Sequence, residues 1–142
     1  MKALTVRQPW AWAIMIAKPV ENRSRRFNYR GPLLIHTSQQ EETHMVDQVL
    51  ELIADETGTA VSLLRNAYRQ QAARGAIIGA VTVTDCVTTH ASRWFTGPHA
   101  LVLERPQRAY RPVHCRGQLG LWQPPADVLA ALEIPGYTEG VR

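Results

Sequence analysis

Apolar positions along this chain change their period several times, and each change marks an element. The run from Ala3 to Val6 reads as a short first strand. From Pro9 to Ala17 the residues are apolar on almost every side, which predicts a helix buried all round rather than one lying on a surface. Pro9 suits the first turn, where its missing N–H has no partner to lose. Lys18-Pro19 ends the helix, because the residue before a proline avoids the helical region. Val20 to Phe27 fits an extended segment with Glu21 and Arg23 on one face, by the two-residue period. Gly31-Pro32 reads as a turn, and Leu33 to Thr37 as a buried strand ending at His36.

Ser38 and Glu41 have the spacing of a capping box, which predicts the start of the next helix there. Met45, Val46, Val49, Leu50 and Ile53 recur through it at helical spacing, and Gly58 breaks it. A second helix, from about Ala60 to Ala73, places Val61, Leu64 and Tyr68 along one stripe and ends at Gly75. Ala76 to Val87 is the longest strand candidate, rich in Ile, Val and Thr, with apolar residues on both faces. His99 to Glu104 follows as a strand that Pro106 ends, and Tyr110 to Cys115 and Leu119 to Trp122 are two more. Pro124-Pro125 opens a final helix, Ala126 to Leu132, and Pro135 to Arg142 reads as a loose tail.

This order predicts an α+β fold: a small β-barrel with flanking helices, in a single domain over 1–142 with a helical insertion at about 41–73. The βαβ alternation and glycine-rich phosphate loop of a nucleotide fold are both missing. A chain of 142 residues, 45% hydrophobic and 20% charged, is the size of one domain that buries its core without staples. No apolar stretch approaches the roughly 18 to 20 residues that span a bilayer. The first residues lack the apolar core of a signal peptide, so the cytoplasm is the expected compartment and no membrane partner is expected. Cys86 and Cys115 are far apart and read as two reduced thiols. Neither belongs to a CxxC pair, and Cys86 with His90, or His114 with Cys115, falls short of a four-ligand set, so neither a metal nor a cofactor is expected.

Charge changes the picture more by distribution than by amount. The formal net charge is +4, yet Arg23, Arg25, Arg26 and Arg30 crowd one segment and Arg105, Arg108, Arg111 and Arg116 another. Arginines interleaved with Phe27 and Tyr29 suit single-stranded nucleic acid, since guanidinium binds phosphate and rings stack on bases. Arg93-Trp94-Phe95 repeats that composition and would make an opposing lip. Lys18 and Glu21, just past the helix end, would face one cleft: Lys18 as donor to a carbonyl or phosphate, Glu21 as acceptor or general base. The plainer reading of Lys18, Glu21 and Arg23 is a self-neutralising ion-pair cluster. Trp12 is read as core, while Trp10 would either pack there or stack on a base. Gln8 would read a base edge or cap the helix, and His36 would be a hydrogen-bonded core residue or a site contact. Asp85 is read as a structural hydrogen-bonder at a strand end.

Gln8-Pro9-Trp10, Lys18, Val20-Glu21-Asn22-Arg23-Ser24, Tyr29-Arg30-Gly31 and Leu34-Ile35-His36 together resemble the ASCH domain family of the PUA-like group. Gly79-Ala80-Val81 running to Asp85-Cys86, and Gly117 to Trp122, extend the resemblance from Leu4 to about Leu132. It implies a PUA-like β-barrel of about five strands with helices packed around it and a cleft beside the first helix. RNA or a modified nucleotide is the implied partner, with Gln8, Trp10, Arg23, Arg30 and His36 as ligand-binding candidates. Some small members of the family hydrolyse N4-acetylcytidine with a Lys and a Thr three residues later. Lys18 matches that Lys, whereas Glu21 stands at the Thr position, a departure from the hydrolase pattern. An amidohydrolase with Lys18 and Glu21 as catalytic residues, a ribonuclease with no residue to assign, and a protein-interaction adaptor are the alternatives. Oligomeric state is open.

Overall fold

The computed structural model describes residues 1–138. Among them, six strands form one curled half-barrel sheet: β1 (Lys2–Gln8), β2 (Val20–Arg23), β3 (Gly31–Glu41), β4 (Ala76–Val87), β5 (His99–His114) and β6 (Leu121–Trp122). They lie in the order β2-β5-β4-β3-β1-β6. β1 and β3 run parallel, and the other pairings are antiparallel. Four helices, α1 (Trp10–Ile16), α2 (Val46–Thr57), α3 (Val61–Gln71) and α4 (Ala126–Ala131), complete the α+β fold that the patterning predicts. None of the described helices is long and apolar enough to cross a membrane.

The apolar girth of α1 has a direct cause. Ala11, Ile14 and Met15 pack into the concave face of the sheet with Leu4, Val6, Leu33, Ile35, Val81, Val83, Leu101 and Leu103. Trp12 and Ala13, on the other side, join Val49, Leu50 and Ile53 of α2 and Leu64 and Tyr68 of α3. The helix is thus sandwiched between sheet and helical pair, and each large side chain so buried contributes roughly 2 kcal/mol. Sheet and helix approach closely at Gly79, where a Cβ would stand 2.5 Å from Met15 Sδ and 2.4 Å from the Gln107 carbonyl oxygen. The outer face of the sheet is covered too, with Leu34, Ile77, Ala80 and Trp122 against Val128, Leu132 and Ile134. Burial on both faces explains why Leu33-Leu34-Ile35 shows no alternation.

Several boundaries differ from the sequence reading. Ser38 does not open a helix: β3 continues to Glu41, and α2 starts only after a 3-10 turn, Thr43–Met45. Pairing of β3 with β1, where Gln8 stands opposite Glu41, and the Glu42 N–H bond to the Gln8 carbonyl at 2.8 Å carry the chain past the capping pattern. Gly31-Pro32 is the first pair of β3 rather than a turn. Pro106 does not end a strand: β5 runs unbroken to His114, and Arg105-Pro106 sit opposite Val81 as a bulge between the pairs Glu104–Thr82 and Gln107–Ala80. A proline lacking its N–H is tolerated there because a bulge leaves that group unpaired anyway. Pro135 to Thr138 is docked rather than loose, with the Tyr137 hydroxyl donating to the Arg105 carbonyl at 2.7 Å and the buried Thr138 hydroxyl accepting from Ile134 N–H at 3.0 Å. The rest of that expected tail, 139–142, lies outside the described residues.

Candidate nucleotide-binding site

Where α1 ends, the chain delivers three charges to one place. Lys18 follows the last turn, and Glu21 and Arg23 sit two apart on β2, whose pairing with β5 fixes their direction. Lys18 Nζ donates to Glu21 Oε1 at 2.8 Å, and Arg23 Nη2 donates to Glu21 Oε2 at 3.0 Å. Arg23 Nη2 also donates to the Thr5 carbonyl at 3.3 Å. Lys18 is only 4% exposed and Glu21 7%. At that depth each ion loses several kcal/mol of hydration, and shared pairing is what makes the burial tolerable. An ammonium has three donors, and among the described residues Glu21 takes one of those on Lys18.

A pocket of about 400 Å³ opens beside this cluster, lined by Trp10, Lys18, Glu21, Asn22, Met45, Leu52, Arg93, Trp94 and Thr96. Lys18 Nζ lies 5.7 Å from the centroid of the Trp10 ring, a cation–π distance. Both wall tryptophans are pinned by carboxylates: Trp10 Nε1–H donates to Glu42, and Trp94 Nε1–H donates to Glu56 Oε1 at 2.6 Å. Asn22 holds the loop behind Trp94, donating to the Trp94 carbonyl at 2.9 Å and accepting from Thr96 N–H at 2.9 Å. Met45 and Leu52 come from the helical region, so the helical pair both packs the core and walls the pocket.

The candidates therefore divide. Trp10, Lys18 and Glu21 line the pocket, and Arg23 joins them through Glu21. Gln8 is set apart: it is wholly buried, its Nε2 donates to the Ala73 carbonyl at 3.0 Å, and its Oε1 accepts from Trp12 N–H at 2.8 Å. Its amide caps α1 and is enclosed in the core, outside the lining of this pocket. Arg30 also lies elsewhere, on the surface, with Nη1 on the Phe27 and Tyr29 carbonyls and Nη2 3.4 Å from Asp85 Oδ1. His36 is 2% exposed and fully engaged. Its Nε2–H donates to the Cys115 carbonyl at 2.8 Å, which makes Nδ1 the acceptor of the Thr5 hydroxyl at 3.1 Å. Asn22, Thr96, Met45 and Leu52 carry no sequence signal of a site: an Asn beside a charged pair and apolar residues at helical spacing look structural.

A curled sheet of this order, packed by α1 and open beside it, is the architecture of a PUA-like barrel. A family model of the ASCH domain matches residues 4–131, and the chain belongs to that family. No curated protein matches the chain closely enough to count as a relative.

Two outcomes test the electrostatics. Glu21→Gln leaves Lys18 buried beside a neutral amide and should destabilise the fold by roughly 3 kcal/mol in urea denaturation, whereas Lys18→Met, which leaves Glu21 paired with Arg23, should cost clearly less. Equal losses would contradict the shared-carboxylate arrangement. Burial lowers the His36 pKa below its ordinary 6.5, partly offset by the bond to the Cys115 carbonyl. The unfolded chain therefore takes up a proton near pH 6.5 that the folded protein refuses until lower pH. The associated stability is complete above about pH 6.5 and is lost as pH falls below it. An NMR titration should show the His36 ring protons moving with a midpoint under 6.5, and a midpoint above 6.5 would contradict this.

Proposed function

We propose that the protein binds RNA, or a single modified nucleotide, in the cleft beside α1. RNA interaction is the general association of the ASCH family, and one observation carries the reading to this cleft. A buried ammonium with unfilled donors lies at the edge of an open pocket walled by two orientation-locked indoles. About 400 Å³ falls within the range of small-molecule sites. Lys18 meets a base carbonyl or phosphate oxygen, Trp10 offers a ring for stacking, and Arg23 supplies further positive charge. Glu21 holds both cations in place. The cytoplasm is the matching compartment, where RNA is present and the free thiols Cys86 and Cys115 stay reduced.

A second reading, hydrolysis of an N4-acylated cytidine, draws on the same Lys18, which would stabilise the oxyanion while Glu21 activates water. It ranks lower because both Glu21 oxygens are already engaged by cations and no Thr stands at that position. An adaptor role ranks lower again, since the cleft is open and the exposed large apolar residues, Ile16, Leu63, Tyr110 and Leu119, are spread over four separate segments.

Tryptophan fluorescence titrations with ribonucleoside 5′-monophosphates and short RNAs test the binding. Lys18→Ala should weaken it on the order of 10- to 100-fold, the worth of a hydrogen bond to a charged group, and affinity should fall as salt rises. Salt-insensitive association, or none with any ligand, would overturn the reading. Incubation with N4-acetylcytidine followed by chromatography decides the hydrolase alternative: turnover by the wild type and none by Glu21→Gln would favour it.

A further inference from the structure

A second, larger cleft of about 850 Å³ lies on the other side of the Glu21–Arg23 ion pair. Glu21 lines the first pocket and Arg23 the second, so this one pair forms a partition between them. The second cleft is bounded by the ends of β1 and β3, by Gly75 before β4, and by the turn that links β5 to β6. Its chemistry differs from the first. Arg7, Arg23 and Arg116 bring positive charge, and Gln39, Gln40 and Gln118 bring amides. Among the described residues lining it, none is acidic, although the chain holds 12 acidic residues. No tryptophan lines it either, so it is a cradle for charge rather than for a flat ring.

Three details make this a polyanion track. Arg23 uses Nη2 for Thr5 and Glu21, while its Nε is buried without a partner. Arg7 is exposed and only loosely paired, with Glu42 Oε1 at 4.0 Å, a surface contact worth little that leaves its guanidinium open to solvent. Arg25, on the basic segment after β2, comes within 4.0 Å of where a Gly120 Cβ would stand, which puts another guanidinium at the rim. Guanidinium groups spaced along an open groove suit successive phosphates, which they meet with paired N–H donors.

We infer that the second cleft holds the phosphodiester backbone of a single strand whose base occupies the first pocket, so that the ligand is an oligonucleotide rather than a free nucleoside. This rests on the base-binding reading of the first pocket and extends it. The strand passes over the Glu21–Arg23 partition. Base stacking on one side and phosphate contacts on the other supply the two parts of single-strand binding.

Fluorescence anisotropy with the full chain tests it, using a ribonucleoside 5′-monophosphate and single-stranded RNAs of mixed sequence two, four and eight nucleotides long. Affinity should rise at least tenfold from the mononucleotide to the tetranucleotide. The Arg7→Ala/Arg116→Ala double variant changes two exposed residues that do not line the first pocket. It should lose that increment, with a salt slope lower by about two, roughly one per arginine removed, and should keep wild-type mononucleotide binding. Equal affinity at every length, or an increment that survives the double variant, overturns the second-cleft assignment and leaves the base pocket standing. Absence of binding at any length overturns both.

Discussion

Glu21 brings its carboxylate into the barrel mouth between Lys18 Nζ at 2.8 Å and Arg23 Nη2 at 3.0 Å, and the surrounding geometry follows from keeping all three charges paired. Ions buried this deeply persist only in company. Their company is arranged by local sequence: Lys18 follows α1 directly, and the alternation of β2 carries Glu21 and Arg23 two residues apart. The cation that remains under-used, Lys18, then faces the pocket, while Arg23 reaches across to β1 and the second cleft. The self-neutralising cluster and the proposed binding site are therefore the same object. Mutual neutralisation makes the ammonium affordable inside the protein, and its unfilled donors make it useful there.

The pocket walls are set by the same physics in milder form. Indole N–H groups are buried donors that need acceptors. Trp10 and Trp94 find theirs on Glu42 and Glu56, Trp12 finds Gln71 Oε1 at 3.0 Å, and the Tyr68 hydroxyl donates to Glu41 Oε2 at 2.5 Å. Burial and that neighbouring carboxylate push the Tyr68 pKa well up, so it stays a donor. These bonds tie the helical pair to α1 and the sheet. They fix the ring orientations, and on the proposed reading that lowers the ordering cost of binding.

Much of this was legible in the chain. The girth of α1, the stripes of α2 and α3, the stop at Gly58, and the bounds of β4 at Ala76 and Val87 follow from local pattern, and the structure has them. What misled was local chemistry overridden by long-range pairing. The Ser38/Glu41 spacing looks like a cap only until Glu41 is seen paired with Gln8 of β1, and Pro106 looks terminal only until its bulge is seen. The site shows the same division. Lys18, Glu21 and Arg23 are close in sequence, and their meeting could be inferred from spacing. Gln8 and Arg30 are close in sequence as well, yet neither lines the pocket: Gln8 is held by Trp12 and the remote Ala73, and Arg30 by Phe27, Tyr29 and the remote Asp85. The wall from Met45 and Leu52 and the assembly of the second cleft depend on contacts across more than 20 residues, beyond the reach of any local pattern, whereas Arg93 and Trp94, expected from composition as an opposing lip, do line the pocket.

The four tryptophans provide the most direct check of the central claim, because two line the first pocket and two do not. Their indole N–H signals can be followed by ¹⁵N-resolved NMR while the four ribonucleoside 5′-monophosphates and N4-acetylcytidine are added in turn. A guest held beside Lys18 moves the Trp10 and Trp94 signals in a saturable manner and leaves Trp12 and Trp122, bonded to Gln71 and Thr5, in place. Movement confined to Trp12 or Trp122, or none with any of the five ligands, would contradict the account.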